Sequence, residues 1–140
     1  SYAPLIAGDS NPGRVQMSLG GVGRNIAHNM ALLGLDVRLL TDFGDDLYAQ
    51  RIAASCGELG IDISQALQVP GGSTSTYLYL NGPDGDMALA VSDMDICQKL
   101  TPQFLSSRLT LLNNAQLIVA DANLPAESAS WRKAAPRPFL

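Results

Sequence analysis

The stretch GGVGRNIAHNMALLGLDVRLLTDFG, Gly20–Gly44, decides how the rest of the chain is read. Gly20, Gly21 and Gly23 let the backbone turn tightly and let a ligand approach the main chain. Val22, Ile26, Met30 and Leu33 follow at spacings of four, four and three, which predicts an amphipathic helix with one apolar stripe. Gly34 marks its stop. Val37–Thr41 is a short apolar run and reads as a buried parallel strand. Asp45 or Asp46 then caps a second helix. The stripe of that helix is Tyr48, Ile52, Cys56 (or Ser55) and Leu59, and Gly60 closes it. Strand and helix in alternation make an α/β pattern.

Upstream, residues 1–13 are loop-like and end in the turn Asp9-Ser10-Asn11-Pro12-Gly13. Arg14–Leu19 alternates polar and apolar residues, which predicts a short strand with one wet face. Downstream the pattern changes character. Thr74–Leu80 is rich in Thr, Tyr and Leu, and Asp86–Ser92 alternates, with Met87, Leu89 and Val91 on one face. Asn81-Gly82-Pro83-Asp84-Gly85 between them reads as a hairpin loop. Thr101-Pro102 reads as N-cap and first residue of a helix to about Asn114, with Leu105, Leu109 and Leu112 inward. Leu117–Ala120 predicts another buried strand. Asn123 is a candidate cap for a helix from Leu124 to about Ala134, and Pro138-Phe139-Leu140 reads as the entry to one more strand.

Composition narrows the function classes. Of 140 residues, 46% are hydrophobic and only 16% charged, against about a quarter charged in ordinary domains. That points to a well-buried α/β core or to surfaces that are covered by something else. The net charge of −4 and the absence of any Lys/Arg run argue against nucleic acid and anionic membrane as partners. No apolar run approaches a membrane span. Cys56 and Cys97 lie far apart and form no CxxC, so a reducing cytoplasm is the expected setting. With one His, His28, both a structural zinc site and His-dependent nucleophilic catalysis are disfavoured.

The glycine turn is the first candidate site. The opening turn of the following helix presents free N–H groups to an oxygen-rich or anionic ligand, although a tight turn with no ligand has the same sequence. A Walker A loop is excluded, because no Lys occurs before Lys99. A dinucleotide-binding Gly-x-Gly-x-x-Gly has Ile26 at its third glycine, although Asp42, 19 residues beyond Gly23, stands where a ribose-binding acid would. Asn25, in the first helical turn, both donates and accepts and so suits a polyol. Asp121 and Asn123 follow a strand end. They read either as a loop acid with a capping amide or as groups acting through water on a phosphate-bound Mg²⁺.

Taken together, the double glycine, Asn25 five residues after Gly20, the Leu-Gly helix end and Gly44-Asp45-Asp46 resemble the ribokinase-like (PfkB-type) carbohydrate and nucleoside kinases. The segments 10–13, 20–27, 69–71, 91–96 and 119–123 look most like the pseudouridine-directed branch of that family. The resemblance implies an α/β fold, a three-layer α/β/α sandwich with a small β lid. The lid segments would lie at about 14–19 and 74–92 of a single kinase domain portion spanning 1–140. It implies a sugar site lined by Gly20, Gly21 and Asn25, with Ser73, Thr74 and Thr76 at the lid–substrate edge and Arg14 closing over substrate. Asp121 and Asn123 would face the phosphate and Mg²⁺ region. ATP and Mg²⁺ are the implied cofactors, a sugar or nucleoside the substrate, and a homodimer through the lid the assembly.

The resemblance also implies what the 140 residues do not carry. The family's first core strand with its sugar-gripping Asp, and the Gly-Ala-Gly-Asp motif that supplies the general base and anion hole, have no counterpart here. The expectation is an N-terminal portion, truncated after the first half of the fold and inactive alone. A dinucleotide-binding module is the alternative from a different class.

Overall fold

The computed structural model describes residues 1–130, in two compact units. Ser1–Leu19 and Ser75–Met94 form the smaller; Gly20–Thr74 and the described residues from Asp95 onward form the larger.

In the larger unit the glycine turn works as its sequence implies. Gly21 adopts φ 88°, in the left-handed region that disfavours side chains, and α1 (Val22–Leu32) starts at the next residue. Gly34, at φ 81°, ends it. The buried face of α1 is displaced from the predicted stripe. Ala27 is buried with Val37, Cys56 and Ile61, and Met30 and Ala31 pack against them, whereas Val22 is exposed and Leu33 is 79% exposed. Leu33 is the C-cap residue, already leaving the helix, so its side chain no longer follows the α1 face.

The predicted strand at Val37–Thr41 is parallel, as expected, but its ladder is broken. Arg38 bridges Asp62, and four residues later β1 (Asp42–Phe43) pairs with β2 (Leu67–Gln68), Asp42 opposite Leu67. The Leu39 N–H donates to the Asp62 carbonyl at 2.9 Å, and the Leu67 N–H to that of Thr41 at 2.8 Å. The partner run 61–69 had no prediction of its own. A turn from Ile63 to Ala66 splits its alternation into two pieces too short to read. Between β1 and β2 lies α2 (Leu47–Glu58). Asp46, not Asp45, is its N-cap, accepting the Ala49 N–H at 2.8 Å. Cys56 is fully enclosed, Ile52 and Leu59 pack beside it, and Gly60 (φ 69°) ends the segment.

A second cluster contains Leu100, Phe104, Leu105 and Leu112, with Leu40, Leu67, Ile118 and Leu124 packed on it. A 3₁₀ turn (Asp95–Lys99) leads to Thr101, which caps α3 (Pro102–Ser106) as predicted. The single helix expected to Asn114 is two: α3, then α4 (Leu109–Asn114). Ser107 Oγ donates back to the Phe104 carbonyl at 2.7 Å, the local bond by which serine competes with helical pairing. The break leaves Leu109 exposed and Leu112 buried. Leu117–Ala120 is not a buried strand; only Ile118 makes a bridge and packs inward, while Leu117 and Val119 are exposed. With one face covered, alternate side chains of the run have no layer to enter. Asn123 is not a helix cap. The last described helix, α5 (Ala126–Ala129), starts at Pro125 with no side-chain cap. The predicted continuation to Ala134 and the strand entry at Pro138–Leu140 lie outside the described residues.

The smaller unit holds the predicted hairpin: β3 (Thr76–Asn81) antiparallel to β4 (Met87–Asp93). Leu78 faces Val91 and Leu80 faces Leu89, then the register shifts so that Asn81 meets Met87. The extra residue, Ala88, inverts the expected side of Met87. Met87 joins the tyrosine face, where the Tyr77 hydroxyl reaches its sulfur at 3.5 Å. The N-terminal loop is organised by Asn11, whose Oδ1 accepts the Ile6 N–H at 2.8 Å and whose Nδ2 donates to the Ile6 and Asp9 carbonyls. Arg14–Leu19 is no strand in the structure. Period-two alternation promises a strand only if a neighbour offers an edge, and here Val15 is 96% exposed.

Candidate functional site

The glycine turn acquires its chemistry from a residue far along the chain. The Gly23 N–H donates to Asp121 Oδ2 at 3.0 Å, across 98 positions of sequence. Asp121 Oδ1 accepts from both the N–H and the Nδ2 of Asn123, at 2.9 and 2.8 Å. The first turn of α1 has no acid of its own. Asp121 therefore supplies the negative charge that the free N–H groups and positive end of the helix favour. The structure thus brings together the glycine turn and the 121–123 loop, two of the segments singled out in the sequence.

Asn25 stands exposed in that first turn, its N–H bonded to the Gly21 carbonyl at 2.9 Å. Arg24 crosses to α2, where one terminal nitrogen donates to Ser55 Oγ at 2.8 Å; the other donates to Asn25 Oδ1 at 3.3 Å. Its Nε is buried with no partner. The guanidinium also lies near Cys56, whose thiol burial pushes up while the arginine opposes the shift. Gly20 is exposed, with open space where a side chain would stand.

The Ser/Thr cluster is divided. Thr74, 4% exposed, belongs to the larger unit. Its N–H donates to Asp46 Oδ2 at 2.7 Å, its hydroxyl donates to Asp46 Oδ1 at 2.8 Å, and the hydroxyl oxygen accepts the Gly44 N–H at 3.1 Å. Burial raises the Asp46 carboxyl, but bonds from Thr74, Ala49 and Tyr48 outweigh it and hold the group below the ordinary carboxylate range. A side chain at Gly44 would collide with the Gly72 carbonyl, which explains the glycine there. Asp45 accepts the Gly71 N–H at 3.0 Å. Ser73 is exposed in the same unit. Arg14, exposed, and Thr76, half-buried opposite Asp93, belong to the smaller unit.

Asp42 is not presented to a ligand as a ribose-binding acid would be. It is 6% exposed; burial raises its carboxyl, and a hydrogen bond with the Cys97 side chain partly offsets this. Neither Cys56 nor Cys97 is in a disulfide. An open groove of about 540 Å³ runs beside α2, lined by Phe43, Asp45, Asp46, Gln50, Ile63 and Gln68, and none of the expected site residues lines it. Among the described residues no group of three His, Cys, Asp or Glu stands ready to hold a metal ion, and no helix is long and apolar enough to cross a membrane. Sequence reading missed Arg24 and the Asp46–Thr74 pair. Arg24 sits inside the quoted motif, but only its neighbours in space reveal what it touches.

The chain is 40% identical over 131 residues to the pseudouridine kinase of Escherichia coli (strain K12), covering 94% of this chain and 42% of that protein. It is 44% identical over 122 residues to YeiI, an uncharacterized sugar kinase of the same organism, covering 87% and 34%. The chain therefore spans well under half the length of these relatives. The structure of Arabidopsis thaliana ribokinase complexed with ribose and ATP superposes with a TM-score of 0.80 at 20% identity, over 96% of this chain and 45% of that one, and shares the fold. The model of the pfkB family carbohydrate kinases matches residues 6–134, and the chain belongs to that family.

Proposed function

We propose that the complete protein is an ATP-dependent kinase that phosphorylates the 5′-hydroxyl of pseudouridine. The observation that carries this reading is the Gly23–Asp121 bond, which joins the glycine turn, with Asn25 suited to sugar hydroxyls in its first helical turn, to the 121–123 loop. The substrate follows from the resemblance in the motifs and from the similarity to a pseudouridine kinase. In this reading Gly20 and Gly21 give the sugar access to the main chain and Asn25 hydrogen-bonds a hydroxyl. Ser73, Thr74 and Thr76 border the substrate edge, Thr74 acting mainly by holding the 72–74 backbone on Gly44. Arg14, in the smaller unit, is a further proposed substrate contact. The proton is taken by a base outside these residues.

ATP supplies the phosphoryl group and Mg²⁺ offsets its charge. Three of the roughly four lone-pair positions of the Asp121 carboxylate are already occupied. Asp121 and Asn123 therefore suit the hydration shell of a bound ion rather than direct ligation. The β3–β4 hairpin, with Leu78, Leu80, Leu89 and Val91 exposed, is proposed to pair in a homodimer, and two cysteines outside any disulfide suit a reducing cytoplasm.

The test is steady-state kinetics of the full-length protein with ATP and a panel of pseudouridine, uridine, adenosine and ribose. The highest kcat/KM is expected on pseudouridine. A best substrate elsewhere in the panel removes that assignment and favours the second reading, a kinase of another sugar or nucleoside, which the 44% identity to a sugar kinase of unassigned substrate motivates.

A further inference from the structure

We infer that Arg24 and Asp121 are positioning residues that lock the two candidate carboxamides in opposite senses. The inference rests on the kinase reading above for its substrate, but not for its geometry. An arginine side chain has only donors and a carboxylate only acceptors, whereas a carboxamide has one end of each kind. Arg24 donates to Asn25 at 3.3 Å, so the Asn25 oxygen is turned toward the guanidinium and its NH₂ is left to face outward. Asp121 accepts from Asn123 Nδ2 at 2.8 Å, so the Asn123 nitrogen is engaged and its oxygen is left free. Asn25 then offers a donor and Asn123 an acceptor. A sugar hydroxyl accepts from the first, and a water in the shell of a phosphate-bound cation donates to the second.

The anchoring of both charged groups supports a positioning role. Arg24 is fixed on α2 through Ser55 at 2.8 Å, and among the described residues it makes no ion pair. Its Nε is buried without an acceptor, an arrangement that costs stability and that a surface arginine would avoid by turning into water. Asp121 is fixed in turn by the Gly23 N–H at 3.0 Å. Each clamp thus connects its asparagine to a second element.

The experiment uses the full-length protein, with R24M, R24K and D121N beside N25A. The first readout is the side-chain ¹⁵N–H₂ resonances of Asn-selectively labelled, ligand-free protein. R24M is expected to move the Asn25 pair and D121N the Asn123 pair, and unmoved resonances overturn the inference. The second is kinetics with pseudouridine. R24M is expected to raise the KM for pseudouridine about tenfold, the loss of one net hydrogen bond, while the KM for ATP stays within twofold. R24K, still donor-only, is expected to recover most of the loss. D121N keeps an oxygen for Gly23 but lets the Asn123 amide reverse, so a higher KM for ATP at limiting Mg²⁺ is expected without loss of the fold, while the KM for pseudouridine stays within twofold. If N25A raises the KM for pseudouridine and R24M does not, the locking inference falls and the kinase reading stands. If the wild type turns over none of the panel, the kinase reading falls and the resonances still decide the orientation.

Discussion

Thr74→Val is the sharpest probe of how the larger unit is held. The substitution keeps the branched shape and removes only the hydroxyl. That hydroxyl donates to Asp46 at 2.8 Å and accepts from the Gly44 N–H at 3.1 Å, in a position 4% exposed. Losing the acceptor strands a buried backbone N–H, at about 1–3 kcal/mol. Losing the donor removes a charge-assisted bond, nominally about 1.5–3 kcal/mol, but Asp46 keeps its bonds from Ala49 and the Thr74 N–H. The expected net loss is about 2–4 kcal/mol, and Thr74→Ser, which keeps both bonds, loses about 1 kcal/mol for its methyl group. Urea denaturation of the full-length protein measures this as a lower midpoint at unchanged slope. The pH dependence adds a second check. The folded-state value of Asp46 is depressed, so its contribution is complete above the unfolded carboxylate value, near about 4, and is lost as pH falls through the folded value. The Thr74→Val deficit should shrink in that acid window. A variant within about 0.5 kcal/mol of wild type, or a deficit that holds its size through the window, refutes the reasoning.

Asp42 carries the opposite sign. Burial raises its carboxyl, so the associated stability is present below the unfolded value and is lost as pH rises through the folded one. Asp42→Asn is expected to raise Tm at pH 7 and to lose that gain at acid pH; a lower Tm at pH 7 counts against it. Asn25→Ala is expected to reduce kcat/KM of the intact enzyme by about 1–3 kcal/mol with little change in Tm, and unchanged kinetics would make Asn25 purely structural. Light scattering of the intact protein at micromolar concentration is expected to give a dimer, and a strict monomer removes the proposed pairing of hairpins.

What was legible in the sequence was mostly local. The caps at Asp46 and Thr101 and the stops at Gly34 and Gly60 depend on a few adjacent residues, and each is found where the pattern indicates. The hairpin is found too, since its loop glycines and alternating strands are neighbours in sequence. What escaped depends on distant partners or on one-residue irregularities. Arg14–Leu19 alternates without an assigned ladder, the Ala88 bulge inverts Met87, and a back-bonding serine splits α3 from α4. The site divides the same way. Gly21 and Asn25 could be singled out from the motif, but no spacing rule ties Gly23 to Asp121 or Thr74 to Asp46.

The Gly23–Asp121 bond also dictates an order of events during synthesis. Closing a loop of 98 residues costs about 4 kcal/mol in chain entropy beyond a constant, before any contact offsets it. A ribosome adding roughly 5–20 residues per second needs about 5–20 s to travel from the glycine turn to its partner. By then Ala27 and Cys56, much closer in sequence, have long been available to bury one another. The α1–α2 core is therefore free to form while the mouth of the candidate site still lacks its carboxylate, and the nascent chain acquires its scaffold before its chemistry.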